Sequence, residues 1–265
     1  MAESISTFTR ASAGYERVMV PAVFGPWAKD LLETAALAPG MRVLDVACGT
    51  GIVARLTAAQ VGPTGRVAGV DSNEAMLAIA RAQPVPIGAP IEWRQGDATK
   101  LPFPEAEFDR ILCQHGLQYM PDRTAALREM KRVLASGGML VLSVFSQSIG
   151  YRIFEQTASP FVGEKAAAIM REPFALADID ELSGLLKMAE LSTVAMHTKT
   201  LPARFSSPSD FIDYQLGGRL ATAVSTLSDE TRTALVAALH EAFEPYVSPE
   251  GLVFPMEAHV VVAVI

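Results

Sequence analysis

Two cysteines in 265 residues, Cys48 and Cys113, exclude a disulfide framework. A basic excess is missing too: 22 Lys and Arg stand against 29 Asp and Glu, for a net charge of −7. With no Lys/Arg cluster, the chain lacks the electrostatic footprint of a nucleic-acid or anionic-membrane partner. Long apolar runs are absent. None is longer than Val260–Ile265, far below the roughly 20 residues a membrane-spanning helix needs. The N-terminus, Met1 to Thr9, carries no basic segment leading into an apolar core, so no secretory signal is expected and a cytoplasmic location follows. No His, Cys, Asp and Glu set has metal-ligand spacing, and none of the 4 histidines neighbours another. What is present is apolar residue: 50% of the chain is hydrophobic, too much for disorder and enough for the core of one large domain.

Those apolar residues fall into short β-branched runs separated by helical stretches. Met41–Ala47, Arg66–Asp71, Ile91–Gln95, Phe108–Cys113 and Gly138–Phe145 read as strands buried on both faces. Ser72 is placed to cap a helix over Asn73–Ala82, and Asp122 one that runs to Leu134 and stops at Gly137-Gly138. Alternation of this kind implies a doubly wound α/β fold, with a parallel sheet between two helical layers. Beyond Phe145 the spacing predicts helices over Ile149–Arg171 and Asp178–Lys187, a strand over Leu191–Leu201 and a last one over Ala258–Ile265. Between these strands, Ser207-Pro208 opens a helix ending near Gly217-Gly218, and Ser228 opens another. Thr7–Leu37 is expected to add a helix or two.

Asp45, Asp71 and Asp97 recur at intervals of 26 residues, each at or just past the end of an expected strand. In a parallel sheet those ends share one edge, where ligands bind. Val43–Ala47 runs into Cys48-Gly49-Thr50-Gly51-Ile52-Val53-Ala54, a G-x-G-x-x-A loop between strand and helix. Asp71, 20 residues after Gly51, suits the hydroxyls of a ribose. Both observations fit NAD as well as S-adenosyl-L-methionine. Asp45 separates the two, because a carboxylate beside the loop repels a pyrophosphate and favours an ammonium and a sulfonium. Gly96-Asp97-Ala98 is suited to the adenine edge, through the Asp97 carboxylate and the Ala98 N–H.

Val43-Leu44-Asp45-Val46-Ala47-Cys48-Gly49-Thr50-Gly51, Val70-Asp71-Ser72-Asn73-Glu74-Ala75-Met76-Leu77 and Gly96-Asp97-Ala98 resemble the motifs of class I S-adenosylmethionine-dependent methyltransferases. The similarity continues through Phe103-Pro104, Phe108-Asp109, Arg128-Glu129 and Arg132–Gly138, in the manner of the ubiquinone/menaquinone C-methyltransferase subgroup. The resemblance implies a seven-stranded, mostly parallel sheet with an antiparallel last strand. It implies that the donor (S-adenosyl-L-homocysteine after transfer) meets Ala47, Gly49 and Gly51 with its methionine end. By the same resemblance Asp71 meets the ribose, Met76, Asp97 and Ala98 the adenine, and Gln114 a further part of the donor, and Ser72 is counted among the donor-binding residues. Residues 1–40 are then an N-terminal helical flap, with Tyr15 closing over the donor. Residues 41–146 are the donor-binding core, and 147–265 carry the helical substrate cover and the last two strands.

Methyl transfer chiefly requires alignment and exclusion of water. Where the acceptor must also lose a proton, His115 is the candidate general base, since Cys113–Tyr119 follows the fourth strand and an ordinary histidine pKa suits the task. His197, His240 and His259 are expected to be ordinary surface or strand residues. Tyr15, Trp27, Phe154, Phe161, Phe205, Phe211, Tyr214 and Phe254 supply aromatic lining or core, which suits a small apolar or aromatic acceptor methylated at O, C or N. The protein is expected to be a monomer or homodimer without nucleic-acid or membrane partners. Two other classes stay open on sequence alone, an NAD(P)-dependent oxidoreductase and a donor-binding protein without transfer activity.

Overall fold

A computed structural model describes residues 14–84 and 87–265, with the side chains of 193 and 194 left aside. The part of the flap over residues 1–13 lies outside the described residues. The flap begins here with a π-helix, α1 (Tyr15–Phe24), which passes directly into α2 (Gly25–Ala35). Pro21 removes an N–H inside α1, and Gly25 N reaches back five residues to Val20 O.

β1 (Arg42–Val46), α3 (Ile52–Val61), β2 (Arg66–Asp71), α4 (Glu74–Ala82), β3 (Ile91–Gln95) and β4 (Phe108–Gln114) then alternate as the apolar runs predict. Asn73, rather than Ser72, caps α4: its side chain accepts from Ala75 N, because Asn73 is the residue with extended backbone just before the helix. α5 (Arg123–Val133) is capped by Asp122 and passes straight into β5 (Leu134–Ser148). The expected stop at Gly137-Gly138 falls inside that strand, since Leu134 already pairs with Phe108 ahead of a register shift.

α6 (Ile149–Val162), the short α7 (Glu164–Ala167) and a 3₁₀ turn (Ala168–Phe174) replace the single expected helix, broken where Gly163 takes φ 86°. α8 (Ile179–Met188) leads to β6 (Ser192–Phe205). The cover follows as α9 (Pro208–Gly217), α10 (Ala221–Val224) and α11 (Asp229–Phe243), with Ser207 and Ser228 as caps. The two-residue β7 (Val247–Ser248) and β8 (Gly251–Val264) finish the chain.

The sheet has eight strands in the order β3-β2-β1-β4-β5-β8-β6, with β7 joined only to β8. β8 runs antiparallel between β5 and β6, as the resemblance implies, and β7 brings the count to eight. Side chains alternate across it. Val43 packs into one core with Leu31, Ala54, Phe154 and Phe211, and Leu44 into the other with Leu127, Met130 and Leu182. Each such side chain sealed from water contributes about 1.5–3 kcal/mol. Trp27, Phe154, Phe205, Phe211 and Phe254 are spent on the first core, whereas Tyr15 and Tyr214 are partly exposed. Strand order reverses between β1 and β4, and the C-terminal ends of β1 to β4 open on one edge.

Candidate active site

At that edge the loop after β1 turns through left-handed backbone at Ala47 (φ 56°), Gly49 (φ 55°) and Gly51 (φ 85°). A Cβ on Gly51 would sit 2.3 Å from the Trp93 ring, so glycine there lets the loop close over β3. Gly49 N donates to Asp71 Oδ2 at 2.8 Å and Asn73 N to Asp71 Oδ1 at 2.8 Å. One carboxylate thereby clamps the loops after β1 and β2, each oxygen keeping a lone pair. Burial raises the Asp71 pKa, and its backbone donors oppose the rise.

A cavity of about 460 Å³ lies over these strand ends. Ala47, Gly49, Asp71, Ser72, Met76, Asp97, Ala98, Gln114 and His115 all line it, as does Tyr15 from α1. Gly51 and Asp45 do not. Gly51 works from behind, against Trp93. Asp45 is 1% exposed, and its Oδ2 accepts from Ala54 N at 3.0 Å, stapling the loop to the first turn of α3. Burial pushes its pKa up to about 8. Sequence reasoning placed this carboxylate beside the donor; its geometry is that of a loop staple. Asp97 is exposed and accepts from Thr99 N at 2.8 Å, which holds its pKa below the ordinary carboxylate range.

Gln114, the last residue of β4, and His115 just after it form the floor. The Gln114 amide nitrogen donates to Phe24 O at 2.9 Å, tying the floor to the end of α1. A second tie is the Arg55–Glu16 pair at 2.7 Å, both side chains largely buried. His115 takes φ 50° and stacks on Phe145, ring centroids 3.6 Å apart, with Trp27 edge-on at 5.4 Å. Neither of its ring nitrogens has a hydrogen-bond partner, and Gln114 Oε1 is likewise buried and unpartnered. Desolvation lowers the His115 pKa to about 3, so the ordinary value assumed from sequence does not hold here. His259 contrasts with it: Thr198 Oγ1 at 2.9 Å and Ala177 O at 2.8 Å meet its two nitrogens, the pattern of a strand residue.

The wall facing the strand ends contains Tyr214, expected from sequence as aromatic lining or core, beside three residues that sequence reasoning did not single out, Tyr151, Pro173 and Arg219. Tyr151 comes from α6, Pro173 from the 3₁₀ turn, Tyr214 from α9, and Arg219 from the turn before α10. Only the cover's fold brings them to this sheet edge; Arg219 meets Tyr119, 100 residues earlier in the chain. Cys48 and Cys113 are buried free thiols behind the loops, and burial raises both thiol pKa values, Cys113 to about 12. Among the described residues no cluster of three metal-ligating side chains occurs.

A strand order that reverses at β1 and β4, an antiparallel β8, and a carboxylate closing β2 define a Rossmann-like S-adenosylmethionine-dependent methyltransferase. Residues 43–138 match the family described as "Methyltransferase domain". The chain is 36% identical over 199 residues to the ubiquinone/menaquinone biosynthesis C-methyltransferase UbiE of Bordetella parapertussis, covering 69% of this chain and 72% of that one. It is 33% identical over 189 residues to the demethylmenaquinone methyltransferase of Staphylococcus carnosus, covering 66% and 77%. The fold is shared with a Haemonchus contortus phosphoethanolamine N-methyltransferase solved with S-adenosyl-L-methionine. That likeness has TM-score 0.55 and 18% identity, over 90% of this chain and 52% of that one. The chain belongs to the methyltransferase family that contains the ubiquinone/menaquinone C-methyltransferases. It is an enzyme that methylates a small molecule with S-adenosyl-L-methionine, and the oxidoreductase and non-catalytic readings are not favoured.

Proposed function

We propose that the acceptor is a hydroxylated aromatic ring, bound between the donor and the helical cover with its hydroxyls against Gln114 Oε1 and His115. The observation that carries this reading is a set of unpartnered polar atoms buried at the cavity floor, Gln114 Oε1 and the two ring nitrogens of His115, of which the neutral ring offers one as an acceptor and the other as an N–H donor. Buried acceptors without donors cost stability, about 1–3 kcal/mol each, and a ligand's O–H groups remove that cost. Their aromatic surroundings, Phe24, Trp27 and Phe145, suit a ring. The curated relatives named above carry quinone methyltransferase names, which supports the same chemistry.

The donor supplies an electrophilic methyl on a cationic sulfur that leaves neutral. In our reading Asp71 accepts from the ribose hydroxyls with the lone pairs left over from Gly49 and Asn73, and Ser72 lies beside it. Met76, Asp97 and Ala98 meet the adenine. Ala47 and the Cβ-free Gly49 leave room for the methionine end, and Tyr15 with Phe24, stacked at 4.8 Å, presents aromatic surface to the cation. Gly51 and Asp45 hold that loop from behind. His115 is neutral at physiological pH and accepts the hydroxyl hydrogen. As the new carbon or oxygen bond forms and the proton leaves, the developing phenolate raises the affinity of the adjacent imidazole for it. Two buried free thiols fit a reducing, cytoplasmic setting. A monomer or homodimer without nucleic-acid partners completes the proposal.

The test is transfer from labelled S-adenosyl-L-methionine to hydroquinones and catechols against anilines. Hydroxylated rings are expected to be methylated, and His115→Gln to lower kcat/KM about 10²–10⁴-fold at unchanged S-adenosyl-L-homocysteine affinity. Because the folded pKa is near 3, the rate should show no inflection near pH 6.5. Unchanged turnover in His115→Gln removes the base.

A further inference from the structure

The charges around the cavity are segregated. Asp71 and Asp97 stand at the ends of β2 and β3, while Arg219, across the cavity before α10, is the one Lys or Arg among its described lining residues. Arg219 keeps 27% side-chain exposure. Its Nη2 donates to Tyr119 Oη at 3.0 Å, and its Nη1 pairs with Glu172 Oε2 at 3.1 Å. Glu172 is 57% exposed, so that pair is solvent-screened. Tyr151 and Tyr214 line the same wall, and burial pushes the Tyr214 hydroxyl up to about 12 and raises Tyr151 further. Both therefore stay protonated and can donate. The floor opposite holds two acceptors without donors, Gln114 Oε1 and the unprotonated nitrogen of the neutral His115 ring. A ligand spanning the cavity is thus asked for O–H groups on one side and for negative charge on the other.

From this polarity we infer that Arg219, assisted by Tyr151 and Tyr214, anchors a carboxylate on the acceptor, so that the preferred substrates are hydroxylated aromatic acids rather than neutral quinols. The inference rests on the aromatic acceptor proposed above and adds its charge. A planar guanidinium matches a carboxylate with two parallel N–H bonds, which a surface lysine does not. The acidic residues stand with the loops assigned to the donor, where they favour its ammonium and sulfonium; the cation stands with the cover, where they would be out of place. One other carboxylate competes for Arg219, that of the donor's methionine end, and the experiment separates the two.

Calorimetric titration of the S-adenosyl-L-homocysteine-loaded enzyme would compare 4-hydroxybenzoate and 3,4-dihydroxybenzoate with their carboxamides. Each acid is expected to bind about tenfold or more tightly than its amide, the scale of a charge-assisted pair. Arg219→Met should abolish the preference and Arg219→Lys should retain part of it, with S-adenosyl-L-homocysteine affinity the same in all three proteins. Equal binding of acid and amide overturns the anchor, as does no saturable binding of either acid. A weaker S-adenosyl-L-homocysteine affinity in Arg219→Met assigns the residue to the donor and overturns it too. If amides or quinols are methylated while acids are refused, the anchor falls and the hydroxyaromatic reading stands.

Discussion

Asp45 and Asp71 carry the same side chain at the ends of adjacent strands, and burial sets them to different work. Asp45 has a folded pKa near 8 against about 4 unfolded, so the native state holds the extra proton between those values. The stability supplied by its neutral form is complete below about pH 4 and is lost as pH rises through about 8. Asp45→Asn keeps an oxygen for Ala54 N and deletes the titration. Its melting temperature at pH 8.5 should rise relative to the parent, by about 2–4 °C per kcal/mol recovered. S-adenosyl-L-homocysteine affinity should shift less than about threefold, while Asp71→Asn, which surrenders an acceptor to Gly49 or Asn73, should lose about ten- to a hundredfold. Equal losses in the two variants would mean that Asp45 acts on the donor through the loop. The positions of both residues were legible in the sequence, because strand end and glycine loop are neighbours along the chain. Their environments were not: Asp45 is sealed by the first turn of α3, and His115 is dried by Phe145 and Trp27, which arrive from distant segments.

Among elements, those whose signals are local were readable and those shaped by partners were not. β1 to β4 match their apolar runs almost residue for residue, and the Asp122, Ser207 and Ser228 caps act as written. β6 and β8 run longer than their patterns suggest, because proline normally ends a ladder. Here Pro202 faces Pro255, so the two missing N–H groups fall at one rung and pairing resumes to Phe205↔Leu252. The π-helical winding of α1 left no mark in a 3.6-residue period. The glycine loop makes the sharpest prediction at this scale. Gly51→Ala places a methyl against Trp93 at a left-handed φ of 85°, and destabilisation of about 1–3 kcal/mol is expected in urea unfolding. Combining it with Trp93→Phe should recover part of that loss, since the clash is with the six-membered edge of the indole. No recovery would leave backbone strain as the whole cost.

For the whole molecule, the site couples layers that otherwise meet only through the cores. α1 is tied to the floor by Gln114–Phe24 and to α3 by Arg55–Glu16, while α6 and α9 bring Tyr151 and Tyr214 over the same cavity. S-adenosyl-L-homocysteine at a hundredfold its Kd should therefore stabilise the fold by about 2.7 kcal/mol, or about 5–10 °C in melting temperature at this chain length. Hydrogen exchange should slow in α1 together with the loop after β1; protection confined to the strand ends would show that the flap takes no part. The division of the cavity has a consequence for descent. Its half at the strand ends is built largely by residues within 43–138, the stretch that matches the methyltransferase family, with Tyr15 and Phe24 added from α1, and the facing wall by a helical insert whose Phe154 and Phe211 share the first core. Mutations can accumulate in that insert while the transferable methyl stays in hand, so new substrates can be tried by a lineage that never loses its chemistry.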